Sequence, residues 1–182
     1  MSAIAAAPRL PRGTDIVLHD GRRVAIRPID PADADGLCVF YRALSPRSRY
    51  ARFLGTASGI SDAAVSHFAK VDHAVAEGLV AILHEHGPAD GSIVGHLCLE
   101  PDGAGSNEMA IAVSDEFRGH GIGKVMVRRA VESARRRGVH RLTATMFATN
   151  TPMRRLMLDT GWTTAVDDLD AGVESIEMEL AA

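Results

Sequence analysis

The succession NEMAIAV (107–113), SDEFRGHG (114–121), IGKVMVRRAVESARRR (122–137) and RLTATMF (141–147) constrains this chain most. It reads as an apolar strand, a glycine-rich turn, a helix with apolar residues at helical spacing, and a second strand. A strand, helix and strand in that order bring the chain back parallel to its starting direction, with the helix as the crossover. Arginines in the last helical turn and Gly138 directly after them supply the C-terminal stop. The strands before this unit read differently. IVLHDGRRVAIRPI (16–29) is a pair of strands around Asp20-Gly21, a dipeptide suited to a tight hairpin. GLVAIL from 78, IVGHLCLE from 93 and NEMAIAV from 107 form an antiparallel meander. Three helical segments lie between the hairpin and the meander. Asp30 caps the first, with Pro31 at its first position and Asp33 at its third. SPRSRYARF (45–53) is the second, and Ser61 opens the third through SDAAVSHFAKV. NTPMRRLMLDTG (150–161) is a short helix and SIEMEL from 175 a last strand. The expected class is α+β, an α/β mixed sheet that is mostly antiparallel, with one parallel pair and flanking helices.

A chain of 182 residues fits one domain. Residues 1–13 are expected to be a disordered tail and 14–182 the domain; Pro8 cuts the short Ala-rich run, no apolar leader follows, and a cytoplasmic location is expected. A net charge of −3 lacks the basic excess of nucleic-acid binders, and no run of 18 apolar residues suggests a membrane span. Cys38 and Cys98 each sit in an apolar run and read as buried thiols rather than a disulfide framework. His84, His86 and His96 bring no Cys or carboxylate at ligand spacing, so no metal is expected. Arg47, Arg49 and Arg52 read as a solvated helix face, Trp162 as core, and the acidic run 167–170 as a solvated loop.

A strand that runs into a glycine loop and then a helix aims backbone N–H groups and the positive helix end at one point, and phosphate is the natural guest. Two phosphate motifs fail on spacing. The P-loop demands Ser or Thr after its lysine, and Val125 follows Lys124. The dinucleotide fingerprint would place its third glycine at Lys124 or Met126. What remains is R-x-x-G-x-G at Arg118, Gly121 and Gly123. It resembles the pyrophosphate loop of the GNAT acyl-CoA N-acyltransferases. Downstream, Asn150, Met153, Leu156, Gly161 and Trp162 match that family's N-x-x-M-x-x-L-x-x-x-x-G-[FW] signature. The segment from Ile26 to Gly55 is similar to the acetyltransferase domain of bacterial Pat-type protein lysine acetyltransferases. Those proteins often carry a regulatory domain on the same chain, and none is expected within these 182 residues.

The resemblance implies the GNAT fold with a splayed parallel pair and acetyl-CoA as co-substrate. It places the pyrophosphate on Arg118, Gly119, His120, Gly121, Ile122, Gly123 and Lys124, and the pantetheine arm along Ile111, Ala112 and Val113, with Asn150 beside it. It also implies Glu108 as the catalytic carboxylate. Acyl transfer requires a neutral amine, and a lysine is about one part in a thousand neutral near pH 7.4, so a general base is useful. Strand alternation puts Glu108 with Ala110 and Ala112, opposite Met109, Ile111 and Val113. The family often protonates the departing thiolate with a Tyr seven residues after the Asn, where this chain has Met157. The expected activity is acetyl transfer to protein lysines. A small-molecule amine acceptor and a non-catalytic acyl-CoA-binding module are the alternatives.

Overall fold

The computed structural model describes residues 13–55, 60–84, 91–103, 105–164 and 172–180. The tail up to residue 12, His86 and the acidic run 167–170 lie outside them. Strands β1 (Thr14–Val17) and β2 (Arg23–Pro28) form the expected hairpin. Its turn closes through Gly21 N–H donating to Leu18 O at 2.9 Å, and Gly21 takes the φ of +86° that such turns ask of glycine. Asp30 and Asp33 cap a single 3-10 turn reciprocally, as a capping box, and the chain continues as α1 (Ala34–Ala43). Ser45 caps α2 (Pro46–Arg52) and Ser61 caps α3 (Asp62–Ala69). The meander follows as β3 (Glu77–His84), β4 (Ile93–Pro101) and β5 (Ser106–Val113). Helix α4 (Ile122–Arg136) crosses over to β6 (Arg141–Phe147), parallel to β5. Helix α5 (Thr151–Asp159), the two-residue β7 (Thr163–Thr164) and β8 (Val173–Glu179) complete it. The sheet order is β1-β2-β3-β4-β5-β6-β8-β7. Among the strands of the described residues, only β7 has no counterpart in the sequence reading, because two residues carry no periodicity.

The sheet is covered on both faces. Leu79, Ala81, Leu97, Leu99 and Met109 on one face pack with Leu142, Ala144 and Ile176 against Met126, Val127, Ala130 and Ala134 of α4. On the other face Val80, Ile82, Ile93 and Ala112 meet Leu37, Phe40 and Tyr41 of α1 and Val65 and Ala69 of α3. Helix α4 lies close to β4: a Cβ on Gly95 would come within 3.1 Å of Met126 Sδ.

Buried charge appears where α4 ends against β3. The Glu77 carboxylate, 1% exposed, receives the Ser133 hydroxyl and the Gly78 N–H, and His73 Nδ1 lies 2.9 Å away. His73 Nε2 is 3.0 Å from Ile29 O. Both ring nitrogens thus face acceptors, an arrangement that only the imidazolium satisfies in full. Glu77 raises the His73 pKa above its ordinary value; the Ile29 carbonyl adds to this, while desolvation and the Arg137 guanidinium oppose it. A raised native pKa stabilises fully below the unfolded value of about 6.5 and is lost as pH climbs through the native one. Thermal melts should therefore show the melting temperature falling above about pH 6.5. His73→Gln should remove that part of the slope; an unchanged profile would contradict the imidazolium.

Candidate functional site

The site begins where β5 and β6 part. Their parallel register runs Ser106–Arg141, Asn107–Leu142 and Glu108–Thr143 and stops there, although β5 continues to Val113 and β6 to Phe147. Beyond Glu108 the two strands form a V. On its other edge β5 stays paired with β4 through to Val113–Gly95. Glu108 stands at the apex, exposed, on the face of Ala110 and Ala112, while Met109 is 1% exposed in the opposite core. Thr145 of β6 donates its hydroxyl to Glu108 Oε1 at 3.0 Å and holds the carboxylate on the β6 side. Directly opposite Glu108 on β4 is Glu100. Facing carboxylates repel. His67 Nε2 lies 3.0 Å from Glu100 Oε1 and draws that side chain toward α3.

The glycine loop closes the open end of the V. A 3-10 turn at Asp115–Phe117 follows β5, then Gly119 (φ +78°) and Gly121 (φ +87°), which caps α4 without a side-chain bond. A Cβ at Gly119 or Gly121 would meet nothing within 4 Å, so the left-handed backbone and not crowding demands glycine there. Gly123 is different: a Cβ would lie 3.2 Å from Leu156 and 3.8 Å from Ile111, so its absence lets the first turn of α4 settle against α5 and β5. Ile122 is buried and Lys124 half-buried in that first turn. The uncapped N–H groups of α4 give the loop its positive end.

Arg118 folds back on the protein. Nε donates to Val113 O at 3.2 Å, Nη2 to Ser48 Oγ at 2.8 Å, and Nη1 lies 3.1 Å from Asp115. Asp115 also accepts from Ser48 Oγ at 2.6 Å and from Ser45 N at 3.0 Å. Desolvation pushes the Asp115 pKa up, but the hydrogen bonds from Ser48 and Ser45 together with Arg118 hold it below the usual carboxylate value. This cluster ties the N-terminus of α2 to the loop. His120 Nδ1 is enclosed without a hydrogen-bond partner. Asn150 caps α5, its Oδ1 accepting from Met153 N at 3.3 Å. Met157 is fully buried.

Among the sequence-predicted residues, the fold thus gathers Glu108, Ile111–Val113 and 118–124 around one cleft, with Asn150 three residues past the end of β6. Sequence reasoning missed Thr145, Glu100, His67, and the stacking of Tyr50 on Phe147, ring centres 5.0 Å apart at 7°. The placement of Glu100 and Glu108 on either side of one turn was the available signal, but register decides whether such residues meet. Arg52 corrects the solvated-face expectation for α2. Its guanidinium turns inward over Phe53 at 5.2 Å and Phe68 at 5.6 Å and donates to Cys98 Sγ at 3.3 Å. Cys98 is buried, as expected; Cys38 is half-buried. Trp162 is 2% exposed, in the core as expected. His96 is paired with Val80 and buried, its Nδ1 2.8 Å from the Tyr41 hydroxyl. Burial drives its pKa down to about 3, so it stays neutral. No cluster of three or more His, Cys, Asp or Glu suited to a metal occurs among the described residues, nor a helix long and apolar enough to cross a membrane.

Comparison with known proteins matches this architecture. The profile described as Acetyltransferase (GNAT) family matches residues 52–162. An acetyltransferase of Pseudomonas aeruginosa is 31% identical over 147 residues, covering 80% of this chain and 77% of that protein. The crystal structure of the GNAT domain of S. lividans PAT superimposes with a TM-score of 0.81 at 29% identity, over 92% of this chain and 97% of that one. YncA of Salmonella typhimurium, solved with its cofactor acetyl-CoA, superimposes with a TM-score of 0.65 at 19% identity, over 87% of this chain and 94% of that one; at such identity the likeness is one of fold.

Proposed function

The chain belongs to the GNAT acetyltransferase family, and from that premise we propose that it moves the acetyl group of acetyl-CoA directly onto lysine side chains of proteins, with Glu108 as general base. The observation that carries this reading is the place of Glu108. It lies at the apex of the β5/β6 splay, held by Thr145, with the glycine loop at the open end. In this reading the pyrophosphate rests on the amides of 119–124, with Arg118 and Lys124 as the nearby cations. The pantetheine arm follows the free edge of Ile111–Val113, and Asn150 lies beside it. Two solved structures support the substrates: one is the GNAT domain of a PAT protein, another holds acetyl-CoA.

Glu108 takes one proton from the incoming ammonium. The amine lone pair then attacks the thioester carbonyl, the C–S bond breaks, the nitrogen gives its second proton to water, and CoA leaves as thiolate. Met157 can supply no proton, so water protonates the thiolate. Acceptor comparison tests the lysine assignment. A lysine peptide and spermidine are incubated separately with acetyl-CoA and enzyme, and products are read by mass spectrometry. The peptide ε-amine should be the better acceptor in kcat/KM; the reverse order would assign the enzyme to small amines.

A further inference from the structure

Helix α2 spans the mouth of the V. At one end Ser45 and Ser48 are bonded to Asp115 and Arg118, just past β5. At the other end Tyr50 lies flat on Phe147, the last residue of β6. The near-parallel rings, 5.0 Å apart at 7°, form an offset stack. Tyr50 is 53% exposed nonetheless, so it is a surface ring held in place and not core. Its position is prepared from below. The backbone turns through Leu54 (φ +49°) and Gly55 (φ +89°), and a Cβ on Gly55 would come within 3.3 Å of the Tyr50 ring.

Phe147 and Thr145 are two residues apart on one strand and share a face, a separation of roughly 6.6 Å. Thr145 carries the hydrogen bond to Glu108. A group resting on the aromatic pair is therefore one two-residue step along β6 from Thr145, the residue bonded to the carboxylate that receives the proton. Four methylenes and a C–N bond, at about 1.5 Å per bond in a zigzag, reach roughly 6 Å.

We propose that Tyr50 and Phe147 form an apolar wall for the alkyl stem of the acceptor, selecting amines carried on an unbranched chain of about four methylenes. This deepens the lysine reading above and rests on it. The wall is a specificity device: it touches the stem and leaves the chemistry to Glu108. Shorter stems leave the nitrogen short of Glu108, and a misplacement of about 1 Å can cost up to about 100-fold.

The test uses three peptides identical except for lysine, ornithine or diaminobutyrate at one position, with acetyl-CoA saturating. The parent enzyme should prefer lysine over ornithine about tenfold and over diaminobutyrate about 100-fold in kcat/KM. Tyr50→Ala and Phe147→Ala should each raise the lysine-peptide KM about three- to tenfold and compress the chain-length preference. Neither should move the KM for acetyl-CoA beyond about twofold, which reports that the cleft is still folded. Tyr50→Phe keeps the ring and should retain the preference. Transfer to all three peptides within about twofold overturns this inference alone. No transfer to any peptide overturns the lysine reading and the inference with it.

Discussion

Glu108→Gln should lower kcat by about 10²- to 10⁴-fold, the usual weight of a general base, while the affinity for acetyl-CoA stays within about twofold of the parent. The amide keeps the shape of the carboxylate and can still accept from the Thr145 hydroxyl, whose bond to Glu108 Oε1 is 3.0 Å. What it loses is the ability to take a proton from an ammonium. Because Glu108 is exposed at the cleft apex and packs nothing in the core, stability should hardly change. The reading predicts a selective loss of turnover, visible in steady-state kinetics as a fall in kcat at constant acetyl-CoA KM. Turnover within about twofold of the parent would reduce Glu108 to a strand residue.

Gly121→Asp should cost acetyl-CoA about 100-fold or more in affinity without unfolding the protein, the charge penalty at close range being the cause. The position has φ +87°, which Asp and Asn tolerate better than other side chains, and nothing lies within 4 Å of a Cβ there. Gly121 is the N-cap of α4, where a carboxylate favours the helix end. The fold thus accepts the change, but a negative charge about 4 Å from a pyrophosphate is opposed by several kcal/mol at an effective dielectric near 20. Gly121→Asn separates the causes: same backbone strain, no charge, and a much smaller loss. Calorimetry with acetyl-CoA on both variants checks this. Equal affinity in the Gly121→Asp variant and the parent would take the pyrophosphate off this loop.

Most of the fold was legible because its signals are local. Asp20-Gly21, Asp30 with Asp33, and Ser61 each declare an element end through bonds to residues two to four positions away, and each does so in the structure. The parallel crossover followed from element order alone, and the facing of Glu108 from strand alternation. What stayed hidden depends on register and on which face a short helix turns inward. Seven residues of α2, with charge on most sides, do not tell Arg52 (inward) from Tyr50 (outward); the pull of Phe53 and Phe68 decides it. Glu100 meets Glu108 because the β4/β5 register sets them opposite, and the β3/β4 register sets His96 opposite Val80. Thr145 reaches Glu108 across a parallel pair, from 37 positions away in the chain.

The central claim is acetyl transfer to protein lysines through Glu108. The most direct measurement takes a lysate from a deacetylase-deficient host, radiolabelled acetyl-CoA, and either the parent enzyme or Glu108→Gln, with the labelled sites located by mass spectrometry. The account predicts label on lysine side chains of a defined set of proteins with the parent and near-background label with the variant. Label of equal intensity in both, or none above the enzyme-free control with the parent, would contradict it.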